Sequence, residues 1–185
     1  MRTSVKQHIN DLDPFEKKWF AVYTKYKCEK YVVDHLVKKD VEAYLPLLKV
    51  TKKYTRKIKT YHVPLINCYA FVKITKSEYV KVLETEYVFK LLKQRNDLLS
   101  IPEEEILLLK KIVGEFAEDV SLYEEDLLPG QEVEVISGSL TGLKGQLISK
   151  KNKSEFLVEL DHIGVKLKIS INSGLLRPVN QLVRA

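Results

Sequence analysis

Apolar and polar residues follow patterns along the first part of the chain that predict strands separated by helices. Residues 19–24 are aromatic or β-branched and predict a strand, whereas residues 27–39 carry apolar pairs four positions apart and predict a helix buried on one side. Residues 41–50 predict another strand, which Pro46 bends or confines to a sheet edge because proline cannot donate to a strand ladder. The chain therefore opens as β-α-β.

Two more strands and a short helix follow. Residues 67–74 and 87–93 predict the strands, since aromatic and β-branched residues are frequent in both. Residues 76–83 predict the short helix between them, capped by Thr75 or Ser77.

A clearly delimited helix, an acidic segment and a set of short strands complete the pattern. Residues 100–114 predict the helix, because Pro102 lies in its first turn, acids precede lysines along it, and Gly114 can stop it. Residues 114–126 contain six acids and no base, and they predict a linker. The short strands have the spacing of a small barrel and cover residues 132–136, 146–149, 155–160 and 166–171.

Composition narrows the class of protein. The 185 residues, 45% of them hydrophobic, suffice for two small domains. The net charge of +6 permits nucleic-acid binding, and the excess of lysine over arginine favours diffuse attraction of phosphate over base reading. Cys28 and Cys68 have no partner at metal-ligand spacing, so we expect free thiols in a reducing cell.

The sequence also argues against export and catalysis. Residues 1–16 are polar and predict a flexible leader, and no apolar run approaches the ~20 residues of a membrane span. We therefore expect a soluble, cytoplasmic protein without membrane contact. The four histidines are scattered, and no glycine-rich phosphate loop or metal-spaced cluster occurs, so we expect no enzyme, no cofactor and no metal.

A basic segment lies between residues 49 and 59, with no acid inside it, and it predicts a hairpin arm or loop. Tyr54, Tyr61 and His62 are interleaved with it or adjacent. It could contact DNA or RNA, or its lysines could simply protect the edge of a solvated hairpin. The basic residues are Lys49, Lys52, Lys53, Arg56, Lys57 and Lys59.

Three segments, in this order and spacing, resemble the NusG family of transcription elongation factors. Residues 17–24 look like the family's opening strand, residues 64–74 look like its central aromatic strand, and residues 128–179 look like its KOW domain. Together they span nearly the whole chain.

The resemblance implies an α+β protein of two domains. An NGN-type α/β sandwich, in which helices cover an antiparallel sheet, would occupy residues 17–113 after the leader. The acidic linker would cover residues 114–126, and the SH3-like β barrel of the KOW domain would cover residues 127–180.

The resemblance also implies a partner. Members of the family grip the clamp helices of the large subunit of RNA polymerase through an exposed apolar patch, and they promote processive transcription. In that setting the basic segment could contact upstream DNA, the displaced non-template strand or nascent RNA. Trp19 and Phe71 also fit an ordinary core, because aromatic strand residues are usually buried, whereas we expect Ile66 and Tyr69 at the surface. The implied polymerase-binding positions are Trp19, Tyr23, Leu65, Ile66, Asn67 and Tyr69.

Two turns depart from the family pattern. Residues 66–69 read Ile-Asn-Cys-Tyr where members usually have an aromatic residue followed by Pro-Gly-Tyr, and residues 85–88 read Thr-Glu-Tyr-Val in place of Thr-Pro-Gly-Val. The loss of both resembles the specialised paralogues of the RfaH and UpxY types, which act on particular long operons such as those for surface polysaccharides.

The KOW segment differs as well. Leu140 and Leu143 stand where the family often has two phenylalanines, and residues 162–165 read His-Ile-Gly-Val where general members have an Ile-Phe-Gly-Arg loop for a ribosomal protein or Rho. A contact with a ribosomal protein stays open, and we expect Rho contact to be weak or absent. The candidate partner-binding residues are Leu140, Leu143, His162, Ile163 and Gly164.

Some specialised members refold this segment into a helical hairpin. Here three glycines, Gly138, Gly142 and Gly145, disfavour a helix by about 1 kcal/mol each, so we expect a stable barrel. Two other functions remain open: a general housekeeping NusG factor, and a ribosome-associated KOW protein that binds RNA. In each case we expect a monomer.

Overall fold

The computed structural model describes residues 9–116, 119–123, 130–151 and 153–179. The chain divides into two compact units. The first runs to Pro46 and includes Ile66–Leu107, and the second consists of Leu47–Leu65 and the chain from Leu108 onward. None of the helices in the described ranges has the length and apolar character that a membrane crossing requires.

The described residues form twelve strands and three α-helices. In chain order they are β1 (Lys18–Thr24), α1 (Glu29–Lys38), β2 (Glu42–Tyr44), β3 (Leu47–Tyr54), β4 (Lys57–Pro64), β5 (Tyr69–Ile74), α2 (Tyr79–Leu83), β6 (Val88–Leu91), α3 (Glu103–Phe116), β7 (Val120–Leu122), β8 (Glu132–Val135), β9 (Lys144–Lys151), β10 (Lys153–Leu160), β11 (Val165–Ile171) and β12 (Leu176–Pro178).

The first unit is built on an antiparallel sheet in the order β2-β5-β1-β6. Successive side chains of a strand point to opposite faces, and one face of this sheet packs against apolar residues of α1 and α2. The predicted strands over residues 19–24, 67–74 and 87–93 and the predicted helices over residues 27–39 and 76–83 are confirmed here, whereas the strand predicted over residues 41–50 is divided at Pro46 into β2 and β3 of two different sheets. The buried members of the resulting core are Phe20, Val22, Val32, Leu36, Val41, Val72, Ile74, Val82, Leu91 and Leu98.

Trp19 lies on the other face of this sheet and is 1% exposed. Its indole Nε1 donates to Glu103 Oε2 at 2.9 Å, and its backbone oxygen accepts from the Ile101 amide at 2.8 Å. Lys73 Nζ lies 2.7 Å from the same Glu103 oxygen. Trp19 therefore anchors the start of α3 to the sheet, and it offers no surface to a partner.

The leader predicted over residues 1–16 is not free in its described part. Asn10 forms a parallel bridge with Leu98, and Asp11 accepts from the Ser100 amide at 2.8 Å. The Asp11 amide donates to the Leu98 oxygen at 2.9 Å. Residues 9–13 are thus held to residues 98–100 of the first unit by hydrogen bonds that composition does not reveal, whereas residues 1–8 lie outside the described residues.

The basic segment was predicted to form either a hairpin arm or a loop, and it forms a hairpin. Pro46 separates β2 from β3, and β3 pairs with β4 from Leu47 opposite Pro64 to Tyr54 opposite Lys57. These two strands make a sheet of their own.

The second unit also contains a six-stranded antiparallel sheet in the order β12-β8-β9-β10-β11-β7. The predicted short strands are confirmed within it, and the helical alternative does not occur in the described residues of this segment. Alternation is clean in β8, where Val133 and Val135 are buried between polar neighbours.

The predicted linker is not confirmed in its described part. Helix α3 runs two residues past Gly114, and β7 then pairs with β11 through Val120 opposite Ile169. The many acids concealed the apolar-polar-apolar pattern of β7, in which Val120 is buried. Residues 117–118 and 124–129 lie outside the described residues.

Gly145 is required by close packing. A methyl group added at this residue would overlap the Leu157 carbonyl oxygen and lie 2.6 Å from the Phe156 ring. Gly114 in α3 is the opposite case, because nothing lies within 4 Å of such a methyl group.

We expect Gly145→Ala to lower the free energy of unfolding by about 1–3 kcal/mol, because overpacking forces backbone or ring shifts. Urea unfolding measures the change. Gly114→Ala is the matched control and should stabilise by up to ~1 kcal/mol, since alanine favours a helix interior. Equal stabilities of the two variants would contradict the packing described around Gly145.

Candidate functional site

Three aromatic rings form a cluster, here called the aromatic patch, on the sheet of the first unit. Tyr23 and Tyr69 lie directly opposite each other in β1 and β5, with ring centroids 5.5 Å apart. The Phe89 ring lies 5.6 Å from that of Tyr23. Both tyrosines are half-buried, and Phe89 is 60% exposed.

A β-bulge puts Phe89 into the patch. Strand β6 pairs with β1 through Leu91 opposite Val22, Lys90 opposite Tyr23 and Val88 opposite Thr24, so Phe89 is the extra residue. Simple alternation would place Phe89 on the face of Leu91, which is in the core. Bulges redirect a side chain in this way, and for that reason the sequence pattern missed Phe89.

Two residues in the left-handed conformation flank the end of β1. Cys68 has φ 64 and precedes Tyr69, and Tyr87 has φ 68 and lies two residues before Phe89. Their carbonyl oxygens accept from two consecutive amides, that of Thr24, the last residue of β1, at 2.8 Å and that of Lys25, which follows it, at 2.9 Å. The patch is therefore held between two turns that fasten to the same strand end.

These two positions are those at which the family pattern predicts glycine. The left-handed conformation costs an ordinary residue about 1–2 kcal/mol, whereas glycine adopts it freely. In this chain both turns therefore adopt the left-handed conformation without glycine. Strain of this kind persists only where the surroundings impose it, and it concentrates at functional sites.

A buried carboxylate fixes the first turn. Glu29, in the first turn of α1, is 2% exposed, and its Oε1 accepts from the Cys68 amide at 2.8 Å. The helix thereby holds the turn, and the turn places Tyr69. Burial, followed by the neighbouring Tyr23, raises the pKa of Tyr69, which keeps its hydroxyl neutral.

A surface network fixes the second turn. The Val88 amide donates to the Thr85 oxygen at 3.0 Å, which closes a β-turn with Tyr87 at the third position. The Tyr31 hydroxyl donates to Glu86 at 2.8 Å, and the Tyr31 and Tyr87 rings meet edge to face at 5.1 Å. The hydrogen bond from Tyr31 lowers the pKa of Glu86, so that side chain remains ionised at neutral pH.

The other sequence-predicted positions near the patch are distributed differently. Leu65 and Ile66 are 5% and 6% exposed, so the expectation of an exposed Ile66 is wrong. The irregular turn between β4 and β5 takes both side chains inward, which alternation within a strand does not predict. Asn67 is exposed beside Cys68.

The basic hairpin presents its predicted residues on two faces. The pairing register places Lys52, Lys57 and Lys59 on one face with Tyr54 and Tyr61. Lys49 and Lys53 share the other face, and Arg56 lies in the turn between the strands. All six basic side chains are exposed.

Only some of the candidate partner-binding residues of the second unit are exposed to solvent. Leu140 and Ile163 are buried, so they support their loops from within. Leu143 is half-buried, while His162 and Gly164 are exposed, and Gly164 adopts φ 73 in the turn between β10 and β11. Within the described ranges, no three His, Cys, Asp or Glu side chains gather as a metal site would require.

Comparison with known proteins places the chain in a family. The family model described as "NusG: Transcription termination factor nusG" matches residues 17–110, about half of the chain. A search of curated proteins found no match. The fold resembles the structure described as "Domain interaction in Thermotoga maritima NusG", with a TM-score of 0.60, 17% identity, and coverage of 90% of this chain and 99% of that one. The "MjSpt4:Spt5 complex conformation A" aligns at a TM-score of 0.30 with 17% identity, over 88% of this chain and 99% of that one.

We expect Cys68→Gly to be more stable than Cys68→Ala by about 0.5–1 kcal/mol, because glycine relieves the left-handed strain and loses part of that gain to unfolded-chain entropy. Thermal and urea unfolding of the two variants measure the difference. Both remove the thiol, so the comparison isolates the backbone. A more stable alanine variant, which is the rule at ordinary positions, would contradict the strained turn.

Proposed function

The chain belongs to the NusG family of transcription elongation factors, and from this premise we propose that it binds RNA polymerase through the aromatic patch and holds the enzyme in its processive form. The site of contact on the polymerase is the clamp-helix coiled coil of its large subunit. Activity on this proposal is binding alone, without catalysis.

The observation that carries the proposal is the geometry of the patch. A helical partner requires an apolar surface with a few aromatic anchors, and such anchors usually dominate the energy of an interface. Phe89 projects most, at 60% exposed, and it packs against Tyr23, which packs against Tyr69. Because the two turns and the bulge fix these rings before binding, little side-chain entropy remains to be lost.

The exposure of the side chains narrows the set of residues that we propose as contacts. We propose Tyr23, Tyr69 and Phe89 as the anchors and Asn67 as a polar neighbour, since each of these side chains is at least partly exposed. The buried positions Trp19, Leu65 and Ile66 would then act through the backbone that they support.

We further propose that the chain is a specialised paralogue of the RfaH or UpxY type, serving long operons such as those for surface polysaccharides. Its support is the replacement of both family glycines, at Cys68 and Tyr87, with retention of the left-handed conformation. The second unit would be a KOW-type domain that recruits a further factor through exposed loop positions such as His162, with little affinity for Rho.

A ribosome-associated function remains the second candidate, because the hairpin concentrates basic side chains without an acid. It predicts binding to ribosomal RNA in place of polymerase. Polymerase binding would use the aromatic patch and ribosomal RNA binding would use the basic hairpin, so substitutions in one surface distinguish the two candidate functions.

We expect Phe89→Ala and Tyr69→Ala each to weaken capture of bacterial RNA polymerase at least tenfold, because loss of an interface anchor commonly costs about 2 kcal/mol or more. Pull-down titration with the full chain measures the change. Phe15→Ala is the matched control, since Phe15 is 92% exposed and lies outside the patch.

Polymerase lacking the tip of its clamp helices provides the second arm. The unmodified chain should lose binding to it to the same extent as the patch variants lose binding to intact polymerase. Equal capture of all variants would refute the patch as the contact, and binding of ribosomal RNA without polymerase would favour the ribosome-associated function.

A further inference from the structure

Two lysines lie over aromatic rings on one face of the sheet of the first unit. Lys73 of β5 pairs directly with Trp19 of β1, and its Nζ lies 5.9 Å from the centroid of the Trp19 ring. Lys90 of β6 pairs directly with Tyr23, and its Nζ lies 6.0 Å from the centroid of the Tyr23 ring. A cation at about 6 Å from a ring centroid is attracted to the face of the ring. Trp19 and Tyr23 are an even number of residues apart in β1, so both lysines stand on the same face.

The two lysines differ in whether an acid accompanies them. Lys73 Nζ lies 2.7 Å from Glu103 Oε2, so this cation is paired within the chain. Lys90 is exposed and forms no ion pair with any residue that the structure describes. The first arrangement therefore consists of a ring, a cation and an acid, whereas the second consists of a ring and a cation.

The bulge in β6 gives Lys90 this position. It places Phe89 against Tyr23 and leaves Lys90 opposite the same tyrosine, so an apolar ring and a cation both flank Tyr23. A partner that covers the aromatic patch therefore also approaches Lys90. The aliphatic stem of a lysine packs well on apolar surface, but covering its ammonium group is unfavourable unless the partner supplies an anion.

We propose that Lys90 selects a partner that carries a carboxylate at the edge of its apolar contact, where the carboxylate does for Lys90 what Glu103 does for Lys73. The inference rests on the proposed binding of RNA polymerase and deepens it, since it states the chemistry of the contacted helices: an apolar ridge for the rings with an Asp or Glu beside it. A surface with a cation at that place is disfavoured by like charge, and such repulsion is a source of specificity.

Protection of the sheet edge is the alternative role of Lys90. Strand β6 is the last strand of its sheet, and lysine on an edge strand discourages pairing with other chains. That role requires only that the lysine be present on the strand, and it predicts no effect of Lys90 on polymerase.

Association and dissociation rates of the full chain with RNA polymerase free of nucleic acid test the proposal. Lys90→Glu should slow association at least about fivefold at low salt, because charges at the rim of an interface act chiefly on association. The loss should shrink as salt is added, since salt screens exposed charges. Lys90→Met keeps an apolar stem without the charge and should show a smaller loss. Phe89→Ala should act chiefly on dissociation, as loss of an apolar anchor usually does.

Lys76→Glu is the matched control, because it changes the net charge by the same amount. Lys76 is exposed and follows β5 at the end of the sheet where Ile74 pairs with Lys18, whereas the patch lies at the other end, where Tyr69 pairs with Tyr23. Lys76→Glu should associate as fast as the unmodified chain. Equal losses in Lys76→Glu and Lys90→Glu would show that net charge alone acts, and they would overturn the proposal.

Polymerase variants in which single acids of the clamp helices are replaced by lysine identify the partner carboxylate. One of them should bind the unmodified chain more slowly and restore association of Lys90→Glu by at least about threefold, because the two reversed charges attract. Restoration by none of them, or undiminished association of Lys90→Glu with unmodified polymerase, would overturn the proposal. Circular dichroism confirms that each variant is folded.

Failure of this proposal and failure of the proposed function give different results. If Phe89→Ala weakens capture of polymerase and Lys90→Glu does not, the patch remains the contact and only the role of Lys90 is refuted. If the unmodified chain captures no polymerase, both are refuted.

Discussion

The end of strand β1 is the point on which the aromatic patch depends. Two carbonyl groups, from Cys68 and Tyr87, converge on the consecutive amides of Thr24 and Lys25. Both carbonyls belong to residues held at positive φ, and each of those residues leads into a strand that carries a ring of the patch. If either turn relaxed, the hydrogen bond and the position of the ring would change together. Backbone strain is therefore coupled to the geometry of the surface.

The buried carboxylate of Glu29 makes this coupling possible. A buried carboxyl group is costly unless it is hydrogen-bonded, and here it accepts from the amide of the strained residue itself. Since that donor belongs to the main chain, the bond holds the turn whichever residue stands at position 68, and it offsets part of the cost that a residue other than glycine brings to the left-handed conformation.

The sequence predicts the elements of this fold better than its surfaces. Strand and helix periods identify β1, α1 and β5 because their apolar faces repeat without interruption. Phe89 was missed because one bulge reverses the face that alternation assigns to it. Ile66 was placed wrongly because a turn, and not a strand, directs its side chain. Strand β7 was concealed by neighbouring acids, since three residues are too few to establish a period.

The aromatic patch and the hairpin of β3 and β4 differ in physical character, and this difference bears on what each can do. The aromatic patch is apolar, partly buried and fixed by hydrogen bonds, so it suits a partner of defined shape and should respond little to salt. The hairpin of β3 and β4 is exposed, cationic and made of two strands only, so a contact with a polyanion would suit it and should respond strongly to salt.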